Sequence, residues 1–210
     1  VCDTSAYQLT KNYFESNINE TKNYNYLLLV AQKRGIYSSI NLGLDYLEES
    51  EPYLVLGAGD IFNIYSKVNL EKEINIFHIP YLLSSKKETL IKRFRSILMG
   101  MPYCHNALIF RKNYLKYDQK YYVSADYDYY LNFISIITNS SIILNQDKLI
   151  PLVEGCMVVF DDQNGLSSKN KRIVHLQNLL IIFRKYFLLG SIIYIFLNFS
   201  KLIWKLKNNL

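Results

Sequence analysis

Apolar residues recur along this chain with two different periods. Ile36, Ile40, Leu44 and Leu47 fall at helical spacing while Ser38, Asn41, Asp45 and Glu48 stay polar, which predicts an amphipathic helix opened by Gly35 and stopped by Pro52. Tyr53 to Leu56 is a continuous apolar run suited to a strand buried on both faces. Gly57 and Gly59 then free the backbone for a sharp turn and leave Asp60 at its edge. Ala107 to Phe110 reads as a further strand, with His105 just before it and Arg111 and Lys112 just after. Tyr129, Tyr130, Leu131, Phe133, Ile134 and Ile137 recover helical periodicity, and Asp126 and Asp128 sit at that helix's start. Helices alternating with buried strands predict an α/β domain with an open sheet. Ligands of such open sheets bind outside the carboxyl ends of the strands, so Asp60 stands where chemistry is expected.

Composition changes this picture little in the first three quarters of the chain and greatly in the last. With 210 residues, half of them hydrophobic, the sequence can build one well-cored domain and is not a disordered chain. Cys2, Cys104 and Cys156 are odd in number and widely spaced, which indicates neither a disulfide framework nor a zinc site and fits a reducing cytosol. N-x-S/T triplets at Asn19, Asn139 and Asn198 are chance matches in so asparagine-rich a chain. Residues 1–162 carry sixteen Lys and Arg against all eighteen Asp and Glu, whereas residues 163–210 carry eight basic residues and no acid. The boundary divides a candidate catalytic domain, 1–162, from a basic apolar helical tail, 163–210.

Within that tail the apolar run from Tyr186 to Phe199 holds fourteen residues, fewer than the ~20 that span a bilayer as a helix. The run reads instead as an interfacial helix on an anionic membrane surface, where each Lys or Arg gains about 1 kcal/mol. A core helix closing the domain is the competing interpretation. Nucleic acid is not the expected partner, because the basic residues are interleaved with Leu and Ile rather than with stacking aromatics on a polar face. A second basic stretch, Ser84 to Arg95, reads as a long loop, either a solvated helix face or a basic lid over phosphates.

Two chemistries compete for the turn at residues 57–60. Strand followed by Gly57-Ala58-Gly59 imitates the start of a dinucleotide fingerprint, in which glycines admit backbone amides to a pyrophosphate, but Phe62 occupies the third glycine's place. A lone carboxylate serving a metal ion is the alternative. His105 is a candidate site residue or a hydrogen-bonded structural histidine, and its neighbour Cys104 is no nucleophile partner for it, since adjacent side chains rarely face each other. Of Asp126 and Asp128, one suits a helix cap, which leaves the other to act as a general base.

Taken in order, GIYSSINLGL, GAGD, MPYCHNALIFRK, VSADYDYYLNF and DQNGLSS resemble the corresponding stretches of bacterial family 2 glycosyltransferases that build surface polysaccharides. The similarity runs from about Asp3 to Ser168; no single motif is specific, and the register of five carries it. The resemblance implies a GT-A type, Rossmann-like α/β sheet flanked by helices and inverting transfer from a nucleotide-sugar donor to a lipid-linked saccharide acceptor, on the cytoplasmic side as a peripheral protein of the inner membrane face. It implies Asp126 as the catalytic base and Asp60 as ligand of a divalent cation, Mg2+ or Mn2+. It places Asp3, Gly35, Asn41, Gly59 and Asp60 on the donor side, and His105 and Asp128 on the acceptor side. Ser38 and Gly57 depart from the family's usual Asp and Asn, and Thr4 to Tyr7 follow its Gly-Ser-Thr-Asp run only loosely. The family's first strand and helix, ~30 residues as a βα unit, are expected to lie before Val1. A degenerate relative without catalysis, acting as an assembly subunit, is the alternative of a different class.

Overall fold

A computed structural model describes residue 29 and residues 35–57, 59–83, 89–90, 100–138, 150–160, 166–186, 192 and 195. Asp3, Gly165 and most of the basic stretch at 84–95 lie outside the described residues. Among the described residues the chain is mixed α/β, with two small sheets and flanking helices.

Helix α1, Ile36–Leu44, opens where expected but ends early: Tyr37, Asn41 and Leu44 face inward, and Leu47 packs on the core from the following turn. Pro52 therefore starts strand β1, Pro52–Leu54, rather than stopping a helix. Strands β2 (Ile61–Ile64), β3 (Ile76–His78), β4 (Tyr81–Leu83) and β5 (Thr89–Leu90) follow. A 3-10 turn at His105–Ala107 leads into β6, Leu108–Arg111. Helix α2, Ala125–Thr138, strand β7, Cys156–Phe160, and the short helix α3, Leu166–Lys169, come next, and helix continues over 171–186 as α4. Thr89 and Leu90 belong to a strand, so this part of the 84–95 stretch is neither loop nor helix face.

The three-stranded sheet has the order β1-β6-β3 and is antiparallel throughout. The four-stranded sheet, β2-β7-β4-β5, is antiparallel except for the parallel pair β4 and β7. The parallel strand arrangement expected of a Rossmann-like sheet is thus absent from most described pairs, because neighbouring strands here run in opposite directions. Double-sided burial belongs to the middle strand β6, whose four residues are all buried, and not to residues 53–56, where β1 is an edge strand and Leu56 is 41% exposed.

Two cores flank the three-stranded sheet. Ile76, Leu108 and Phe110 face α1, α2 and α4, while Phe77 and Ile109 face the four-stranded sheet through Tyr81, Val158 and Cys156. Alternation along β3 and β6 sends successive side chains to opposite faces, which is how two short strands serve both cores. In α4, Ile181 and Ile182 are fully buried against the helical core, while the apolar run 186–199 lies outside the described residues except at 186, 192 and 195. Among the described residues, no helix is long and apolar enough to cross a membrane.

Candidate active site

Antiparallel pairing explains why GAGD and CHNA meet. Leu54 lies opposite Ile109, so the chain leaving β1 runs toward the chain entering β6. The turn after β1 is closed by two bonds: the Asp60 amide donates to the Gly57 carbonyl at 3.1 Å, and the Gly57 amide donates to Asp60 Oδ2 at 2.6 Å. Asn106, beside His105 in the 3-10 turn, also donates from its side-chain amide to Asp60 Oδ2. Gly59 has φ +93°, the left-handed region that favours glycine, and a Cβ on Gly57 would meet Asp60 Oδ2 at 3.1 Å. Both glycines thus serve the turn that aims Asp60. The turn leads into strand β2 rather than a helix, and the Gly57 amide is already engaged, so the dinucleotide interpretation lacks the helix N-terminus on which it depends.

His105 is buried, and its Nε2 lies 2.9 Å from the Tyr117 hydroxyl. Burial pushes its imidazole down to about 4, so the ring is neutral near pH 7; Nδ1 has no hydrogen-bond partner. The ring lies against Phe110 and edge-on to Tyr117. Tyr117 in turn stacks on Tyr129 at 4.2 Å between centroids and on Tyr37 at 5.8 Å. The Tyr37 hydroxyl reaches Asp126 Oδ1 at 3.5 Å, and the Tyr53 and Tyr129 hydroxyls share a bond at 2.6 Å. A continuous path therefore joins the three central residues read from the sequence: Asp60, Asn106 and His105, Tyr117, Tyr37, Asp126.

Asp126 occupies the first turn of α2, partly exposed as a residue. Burial of its carboxyl raises it to about 6, against which the Tyr127 amide, 2.9 Å from Oδ1, works by favouring the charged form. Asp128, two residues on, is placed differently. Its Oδ1 lies 3.4 Å from Lys185 Nζ of α4, and its Oδ2 accepts a bond from Asn132 at 3.0 Å. Asp128 is thus held by the C-terminal helix, and Asp126 is the carboxylate set beside the tyrosines.

Gly35 and Asn41 support this arrangement from α1. Gly35 begins the helix with φ +129°, and its carbonyl accepts the Ser39 amide. Asn41 uses both ends of its amide on the backbone of Tyr117, donating to the carbonyl and accepting from the amide, each at 2.8 Å. The two sequence-nominated donor-side residues therefore position Tyr117 and the start of α1. Tyr37, Tyr117 and Asn106 were not singled out by pattern: with 19 tyrosines in the chain, none is distinctive until the fold selects it.

Among the described residues, no three His, Cys, Asp or Glu side chains gather to hold a metal ion. Asp60 offers one carboxylate to an ion such as Mg2+ or Mn2+, and the Asn106 amide nitrogen that donates to its Oδ2 offers that ion no ligand. Such hard ions keep several waters and bind through one or two carboxylates together with substrate phosphates. Comparison with protein-family models, with curated proteins and with solved structures gives no match to this chain.

Proposed function

We propose that this protein is an inverting, metal-dependent glycosyltransferase that moves a sugar from a nucleotide-sugar donor to a saccharide acceptor, lipid-linked, at the cytoplasmic face of an anionic membrane. The observation carrying the reading is Asp126: a carboxyl raised by burial to about 6, at a helix start, connected through stacked tyrosines and His105 to the Asp60 turn. A base poised just below the working pH is mostly ionised, yet basic enough to take a hydroxyl proton as it is released. The ordered resemblance of five sequence stretches to family 2 glycosyltransferases supports the same roles.

In this reading the acceptor hydroxyl gives its proton to Asp126 while its oxygen forms the new bond to the anomeric carbon. The bond from that carbon to the donor's diphosphate breaks on the opposite face, and the nucleoside diphosphate leaves with the electron pair. Asp60, oriented by the Asn106 amide that donates to its Oδ2, would hold a divalent cation, which would offset the diphosphate's negative charge. Tyr37 orients Asp126, and the buried neutral His105 holds Tyr117 in the stack.

Thermal unfolding of the full chain with a UDP- or GDP-sugar and Mn2+ tests this. The midpoint should rise, Asp60→Ala should abolish the rise, and Asp126→Asn should keep it while losing sugar transfer. No rise with any nucleotide sugar would sink the proposal.

A further inference from the structure

Helix α4 has two apolar faces, and only one of them is used by the fold. At 100° per residue, Asn178, Ile181 and Ile182 define the face buried against the core. Ile173, Leu176, Leu180 and Phe183 fall on the opposite side, at spacings of three and four residues, and are 40%, 59%, 47% and 44% exposed. Arg172 borders this stripe on one side and Arg184 on the other; both are exposed. Three polar contacts hold the helix in this rotation. Gln177 accepts the Val123 amide at 3.0 Å, Arg184 donates to the Tyr121 hydroxyl at 2.9 Å, and Lys185 bridges Asp128 and Asn132. The outward stripe is therefore a fixed surface of the domain and no accident of helix register.

We infer that this stripe docks the protein onto anionic lipid, with Ile173, Leu176, Leu180 and Phe183 entering the headgroup boundary and Arg172 and Arg184 beside them at the phosphates. Charge decides the occupant. Residues 163–210 contain eight Lys and Arg and no Asp or Glu, so a second copy of the same helix would set cation against cation, whereas an anionic bilayer complements both the rim and the apolar strip. The inference rests on the proposed membrane placement and moves its anchor. The docking surface is a folded face of α4, the helix whose Lys185 holds Asp128, two residues beyond Asp126 in α2.

Co-sedimentation of the full chain with vesicles of equimolar phosphatidylglycerol and phosphatidylcholine reads this directly. The wild type should partition onto these vesicles and weakly onto pure phosphatidylcholine. The double variant Leu176→Glu, Leu180→Glu should lose about tenfold or more in partitioning, since it places carboxylates among the anionic headgroups. Because both leucines face solvent, its urea-unfolding midpoint should match the wild type, and transfer to a water-soluble acceptor should be unaffected. Equal partitioning of variant and wild type would overturn the stripe as the anchor while leaving membrane placement standing. Failure of the wild type to partition would remove both, and a soluble dimer that the double variant converts to monomer would overturn the stripe as a lipid anchor.

Discussion

Asp126 and His105 respond to pH in opposite senses, and the opposition is measurable. The Asp126 carboxyl lies at about 6 in the fold against an ordinary 3.8, so between those values the folded chain holds a proton that the unfolded chain has released. Stability therefore falls as pH rises through that window, and the cost is complete above about 6. At about 1.4 kcal/mol per unit, and allowing for the solvent contact the residue retains, it comes to about 2 kcal/mol. His105 lies at about 4 against an ordinary 6.5, so its contribution is present above 6.5 and is lost as pH falls toward 4. This second cost, about 3 kcal/mol, runs the other way. In the wild type the two largely cancel between about pH 4 and 6. Asp126→Asn removes one of them while keeping an oxygen for the Tyr127 amide. The variant should be more stable than wild type at pH 7 by about 2 kcal/mol, and its urea midpoint should drop steeply on acidification where the wild type's stays flat. A gain in stability coupled to lost transfer is what the proposed role of a desolvated carboxyl predicts. Equal stability of the two proteins at pH 7 would show that Asp126 is not desolvated.

At the level of elements, the short strands and turns are held by side chains that bond to backbone. Arg111, the last residue of β6, is buried and donates to the carbonyls of Ser50, Leu70, Glu71 and Ile74 at 2.9 to 3.2 Å, with its guanidinium over the Phe77 ring. It fastens the segment between β2 and β3 and the approach to β1 onto the central strand. Arg111→Met should cost about 3 kcal/mol or more in urea unfolding, because several carbonyls lose a charged donor at once. Asn41→Ala should cost about 2 kcal/mol by orphaning the Tyr117 amide and carbonyl, and should raise KM or lower kcat through the displaced tyrosine stack. The sequence made the start of α1, the strand after His105 and the helix starting near Asp126 readable, since each has a strong period or a glycine. It misassigned the double-sided burial, because Tyr53 to Leu56 and Leu108 to Phe110 are equally apolar and only pairing decides which strand is central. Arg111 read as a charge after a strand, since nothing local announces four distant carbonyls. Asp60 was legible from its glycines; the Asn106 contact was not, because it depends on antiparallel register between segments 46 residues apart, and the tyrosine path was not, because it depends on helix packing that brings Tyr37 to Asp126 across 89 residues.

For the whole molecule, the basic tail decides whether the helical core is complete. Ile181 and Ile182 of α4 are fully buried in the same cluster as Tyr37 and Tyr117, which carry the path between Asp60 and Asp126, and as Phe110, Tyr129 and Phe133. The described part of the tail, 171–186, thus contributes to the helical core through Ile181 and Ile182. Ile181→Ala should remove about 3 kcal/mol, the usual combination of lost burial and residual cavity for a fully buried aliphatic side chain. The informative measurement is its distribution across the fold. Near-ultraviolet circular dichroism reports the packed tyrosines, while the far-ultraviolet signal reports the helices. If α4 and the tyrosine core form one cooperative unit, both signals should shift to the same lower urea midpoint in Ile181→Ala. Lys185→Met should produce a smaller coincident shift of about 2 kcal/mol, by leaving Asp128 without its cation in a mostly buried setting. A tyrosine signal that keeps its wild-type midpoint while the helical signal moves would show α4 to be an appendage, and the lipid-facing stripe would then have no rigid connection to the helix that carries Asp126.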